Sequence, residues 1–140
     1  NMVVALPTQH RLASQPGVGV PLAELKSESF ILYRQVNGSG IKEKLVKTFQ
    51  QAGFTPQAVQ EVHRMMAAIQ LVAAGMGISV VPQSLNAIQP KSVVYRPFDP
   101  PGAVTVPLNL AYRRNVDAQA IKRFIGLSQA LAKTLQTHDV

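Results

Sequence analysis

Ile69-Gln70-Leu71-Val72-Ala73-Ala74-Gly75-Met76-Gly77-Ile78-Ser79-Val80-Val81-Pro82 is the stretch whose reading decides the fold. It predicts a helix, a stop and a strand in quick succession. Upstream, Met65 and Ala68 join Ile69 and Val72 in a helix over residues 64–74 that is apolar on most sides. Such a helix is buried or lies at an interface. Gly75-Met76-Gly77 then ends it in a tight turn, since glycine tolerates the backbone angles a helix stop requires. Ile78-Ser79-Val80-Val81 reads as a strand, and Pro82 closes it because it has no N–H for a ladder.

Working outward, the same alternation recurs. Residues 2–6 form a short apolar strand ended by Pro7, and residues 8–20 a loop with a Pro16-Gly17 turn. Pro21 starts one helical turn, and Phe30-Ile31-Leu32-Tyr33 is a compact apolar strand. Ile41, Leu45 and Phe49 then share one helical face, with Lys42, Glu43 and Lys47 on the other. Ser39 is the expected N-cap of that helix, and Glu43 and Lys47 form a favourable pair four apart. Gly53 ends the helix, Phe54 folds back on Phe49, and Pro56 prevents continuation. Strands follow at 59–62 and 93–98, with a turn at Asp99-Pro100-Pro101-Gly102.

Val104, Val106, Leu108, Leu110 and Tyr112 alternate with polar residues, so a strand with one buried face is expected there, Pro107 marking an edge or a break. Asn115 or Asp117 caps a last helix with a stripe of Ile121, Phe124, Ile125, Leu131 and Leu135. Strands that alternate with helices imply an α/β fold with a mostly parallel, helix-covered sheet.

Composition narrows the function. The chain has 140 residues, 46% of them hydrophobic and only 15% charged. No apolar run reaches membrane-spanning length, and the N-terminus lacks the basic start of a signal peptide. With no cysteine there is no disulfide, thiolate metal site or cysteine nucleophile, which fits a reducing compartment. The net charge of +7 raises the question of nucleic acid. The cations are scattered, however, and no aromatic residues interleave with them as a stacking platform needs.

Motifs for catalysis are lacking. Gly38-Ser39-Gly40-Ile41-Lys42 opens a helix after a strand but is not a Walker motif, and a loop with an N-cap is the favoured reading. Gly75-Met76-Gly77 follows a helix, the reverse of a dinucleotide fingerprint. Gly17-Val18-Gly19 has no preceding strand. His10, His63 and His138 stand apart at no metal spacing. No nucleophile elbow and no acidic pair are present. No cofactor is expected, and an enzyme is not.

In order along the chain, the segments resemble the effector-binding (substrate-binding) domain of LysR-type transcriptional regulators. Val3-Val4-Ala5-Leu6-Pro7 with His10-Arg11-Leu12-Ala13 looks like that family's strand and "HPLA" element, with Arg11 in place of proline. Residues 20–25 and 30–33 look like its "v-x-l-x-dL … fI" stretch, and Gly53-Phe54-Thr55-Pro56 with Glu61 like "GF-x-P … E". The opening stretch is close to "I-x-x-LVAAGLGIALVP", and Leu108-Asn109-Leu110-Ala111-Tyr112-Arg113-Arg114 resembles the closing "L-x-L-x-W-R/K" strand.

The resemblance implies a type II periplasmic-binding-protein-like (Rossmann-like) lobe with part of a second. Residues 1–12 would be a late strand of lobe one, 13–103 lobe two with its crossover, and 104–140 the return to lobe one. It implies a cytoplasmic regulator that binds a small effector between the lobes and self-associates. DNA would be bound only through an N-terminal helix-turn-helix that lies outside this sequence. The cleft positions it assigns are Leu6; Tyr33, Arg34 and Gln35; and Val62, His63 and Met65. Arg34 and His63 point to a carboxylate or other small anion, because a guanidinium fork matches a carboxylate. The rival reading is a solute-binding protein of a transport system, which shares the fold.

Overall fold

Five consecutive apolar residues begin the first strand, β1 (Met2–Pro7), and all five are buried. A strand reads this way only when both faces of its sheet are covered. Met2, Val4 and Leu6 enter one core cluster with Phe30, Leu45, Phe49 and Phe98, while Val3 and Ala5 enter a second with Ile31, Ala68, Ile69 and Val72. The computed structural model therefore places the sheet between two helix layers. It describes residues 1–34, 40–106, 110–113, 115 and 118–137, with side chains up to residue 134.

The remaining elements are β2 (Val20–Pro21), a 3-10 turn (Leu22–Leu25), β3 (Ser29–Tyr33), α1 (Ile41–Gln51), β4 (Gln57–Val62), α2 (Met65–Ala73), β5 (Ser79–Pro82), a second 3-10 turn (Gln83–Leu85), β6 (Val93–Asp99) and α3 (Gln119–Thr137). Residues 1–107 form one compact unit and residues 108–140 another.

In the first unit the strand order is β2-β6-β1-β5, and β3 pairs with β4. The two groups meet at Ile78. Its N–H donates to Ser29 O at 2.8 Å, and its carbonyl accepts from Ile31 N at 2.8 Å. Gly77 makes that approach possible, since a Cβ there would sit 2.5 Å from Ser29 O.

The sheet is mixed rather than mostly parallel. β2–β6, β3–β4 and the Phe30–Ile78 bridge are parallel, but β1 runs antiparallel to both β5 and β6. A run of apolar residues reports that a strand is buried, not the direction of its neighbours.

α1 and α2 form where the periodicity places them. Leu45 and Phe49 are buried on α1, and Ala68, Ile69 and Val72 on α2. Gly53 ends α1 at φ 90°, and Phe54 folds back so that its ring centroid lies 5.1 Å from that of Phe49. The residue at the N-cap of α1 is Gly40, at φ 63°, rather than Ser39, which lies outside the described residues.

The strand expected over residues 104–112 does not form among the described residues. Val104 is buried, and its carbonyl accepts from Met2 N at 3.2 Å, but no partner strand continues the ladder. Alternation specifies a face, whereas a strand also needs a neighbour to bond. α3 begins later than expected: the carbonyl of Ala118 accepts from the N–H groups of Ile121 and Lys122, so Asn115 does not cap it. Asp117 lies outside the described residues.

Candidate ligand site at the ends of β3 and β4

β3 and β4 run parallel, with Tyr33 paired to Val62. Arg34 N donates to Val62 O at 2.7 Å, which draws the two strand ends level. α1 follows β3 and α2 follows β4, so both helices start on this side. The C-terminal ends of parallel strands are where open α/β sheets bind ligands. Among the described residues, the N-cap residue Arg64 makes no side-chain capping hydrogen bond to α2, and the first N–H groups of a helix carry partial positive charge.

Arg34 is an exposed cation of the site, its side chain 64% accessible. Its Nε lies 3.7 Å from Glu61 Oε2. The Lys42 ammonium donates to the other oxygen, Oε1, of the same carboxylate. This hydrogen bond is the main force holding the Glu61 carboxyl below its ordinary value; partial desolvation opposes it, and the Lys42 and Arg34 charges add to it. One carboxylate thus serves two cations from different elements.

The expected contact residues are placed unequally. His63 is exposed beside Arg34's strand partner, and Val62 and Met65 are half-buried, packed against the α2-side core. Tyr33 is nearly buried, and its hydroxyl turns inward to donate to Val80 O at 2.6 Å. Ser79 Oγ donates to Ile31 O at 2.9 Å and also meets the Tyr33 hydroxyl, at 3.4 Å. Burial pushes the Tyr33 phenol up to about 12. Tyr33, Arg34, Val62, His63 and Met65 therefore share one end of the sheet. Leu6 does not join them. It is fully buried, and since β1 opposes β5, it lies toward the level of Ile78, where β3 begins. Gln35 lies outside the described residues.

Sequence reasoning missed Lys42 and the ionic role of Glu61. Nineteen residues separate them, and Lys42 sits on what periodicity marks as a solvent face. A second ionic group was equally hidden. His10 Nδ1 accepts from Leu12 N at 3.2 Å, so Nε2 carries the proton and donates to Glu28 Oε2 at 3.0 Å. Arg11 bonds both Glu24 and Glu28 and the Glu24 carbonyl, clamping the loop after β1 to the first 3-10 turn. Among the described residues no group of His, Asp and Glu is placed to hold a metal ion, and no helix is long and apolar enough to cross a membrane.

Comparison with known proteins gives a consistent result. The family model of the LysR substrate binding domain matches residues 1–133. The HTH-type transcriptional regulator BenM of Acinetobacter baylyi is 34% identical over 112 residues, 80% of this chain and 36% of that protein. AlsR of Bacillus subtilis, also an HTH-type regulator, is 32% identical over 130 residues, 90% of this chain and 41% of that protein. The chain thus spans about two-fifths of the length of these relatives.

Full-length BenM superposes with a TM-score of 0.76 at 30% identity, covering 95% of this chain and 44% of that one. The BenM effector binding domain with its effector benzoate gives 0.73 at 31% identity, covering 86% and 54%. The fold is that of these effector-binding domains, type II periplasmic-binding-protein-like, and the relatives are regulators, as the family resemblance led us to expect. From the matched family model and the shared fold it follows that this chain belongs to the LysR substrate-binding domain family.

Proposed function

We propose that this chain is the ligand-sensing part of a LysR-type transcriptional regulator, and that its ligand is a small carboxylate held at the ends of β3 and β4. The observation that carries this reading is the Arg34 N to Val62 O bond, which brings the exposed guanidinium of Arg34, His63 and the start of α2 to one place. A guanidinium fork and a helix N-terminus both favour an anion. The BenM domain solved with benzoate lends chemical support, benzoate being a carboxylate.

In this reading the ligand lies in a cleft between residues 13–103 and a first lobe to which residues 1–12 and 104–140 contribute. Binding shifts the protein toward a closed form, and that form changes how a self-associated, cytoplasmic regulator holds DNA. The shift equals the ligand's differential affinity for the two forms and no more.

The test is a thermal-shift and calorimetric screen of the full-length gene product against small carboxylates, benzoate first. A ligand at 100 times its Kd stabilises by about 2.7 kcal/mol. The reading expects a carboxylate that raises Tm, and loss of that shift in Arg34→Ala or His63→Ala. A carboxylate bound equally well by both variants overturns the placement of the site.

A further inference from the structure

Arg34 is exposed but not idle. Its Nε faces one oxygen of Glu61, and the second oxygen takes the Lys42 ammonium. Glu61 projects from β4, whose strand partner among the described residues is β3, and Lys42 sits in the first turn of α1. An anion that approaches Arg34 therefore meets a competing carboxylate that is already ionised and already paired.

We infer that Glu61 is a built-in counter-anion that occupies Arg34 in the ligand-free protein, so that an effector carboxylate binds only by displacing it. The inference rests on Arg34 being the anion contact. Glu61 opposes an incoming carboxylate in two ways. It competes for the guanidinium, and its own charge repels the newcomer. A neutral ligand of the same shape meets the competition but not the repulsion. Glu61 thus raises the ligand concentration at which the sensor responds, and does so more strongly for anions. Because the pair is largely solvent-exposed, the effect is modest, about two- to five-fold in affinity.

The experiment measures benzoate and benzamide affinities by calorimetry on the full-length protein, as wild type, Glu61→Gln, Arg34→Ala and the double variant. Glu61→Thr, uncharged and suited to a strand, stands in where the glutamine variant does not fold. The expected result is tighter benzoate binding in Glu61→Gln, by about three-fold, a smaller change for benzamide, and no gain when Arg34 is already absent. Benzoate binding that depends on Arg34 but is unchanged by Glu61→Gln overturns the inference and leaves the carboxylate reading intact. An equal gain for benzoate and benzamide also overturns it, since that is loosened packing rather than a removed charge. Benzoate binding that ignores Arg34, or none in any variant, overturns both.

Discussion

Tyr33 joins its strand to the core rather than to solvent. Its hydroxyl donates to Val80 O, 47 residues away, and meets Ser79 Oγ. Tyr33→Phe strands the buried Val80 acceptor and is expected to cost about 1 kcal/mol at neutral pH. Burial raises the phenol to about 12 from an ordinary 10. The fold thus favours the neutral form. Its contribution is complete below pH 10 and is lost as pH rises from about 10 towards 12. Urea unfolding at pH 8 and pH 11 checks this: the gap between wild type and Tyr33→Phe narrows at the higher pH. Glu61 titrates with the opposite sign. Its carboxyl is held low, first by the Lys42 hydrogen bond, so its contribution is complete above the ordinary carboxylate value and disappears as pH falls through the lowered one. Tm measured from pH 7 to pH 3 should fall less steeply for Glu61→Gln than for wild type. None of these roles was visible in the sequence. The resemblance supplied Tyr33 and Leu6 as cleft positions, but where a side chain points is decided by partners distant in sequence. For Tyr33 those partners are Ser79 and Val80; Leu6 shares its core cluster with Phe30, Phe49 and Phe98.

At the scale of elements, legibility follows the range of the physics. α1 and α2 are specified by periodicity and by glycine stops within their own segments, and they appear where that pattern sets them. The antiparallel placement of β1 and the fate of residues 104–112 depend on pairing across the chain, which no local pattern carries. Two substitutions probe the element level. Phe49 packs against Phe30 at 5.2 Å and Phe54 at 5.1 Å between ring centroids. It is fully buried, so Phe49→Ala should cost about 3–5 kcal/mol in denaturant unfolding. Gly77 has φ 156° and no room for a Cβ against the Ser29 carbonyl. Gly77→Ala must push β3 from β5 at Ile78, and a loss beyond about 1 kcal/mol is expected. Amide exchange should then quicken at Ile31 and Ile78, whose N–H groups make the junction, while Val4 within β1 stays protected. Uniform loss of protection would instead mean that the sheet opens as one piece.

At the scale of the whole molecule, the division between the two units has a thermodynamic consequence. Among the described residues, every buried apolar side chain lies between Met2 and Val104. Residues 1–107, the first unit, thus hold all the buried apolar side chains found among the described residues. The second unit carries α3, on which Ile121, Phe124, Leu127 and Leu131 are exposed. Exposed residues of this size in a single helix are a common seat of association, since monomers rarely leave large contiguous apolar patches uncovered. The two units are thus expected to respond separately to truncation. A chain ending at Pro107 should keep a cooperative melt with Tm close to that of the 140-residue chain, because every buried apolar side chain among the described residues lies at or before Val104. Sedimentation velocity should show association of the 140-residue chain that weakens as it is diluted and disappears in the shortened one. Phe124→Glu with Leu131→Glu in the full 140 residues should reproduce the dissociation without lowering Tm. A sharp fall in Tm on truncation would mean that residues 108–140 belong to the folding unit itself, and a monomeric 140-residue chain would remove α3 as a surface for self-association.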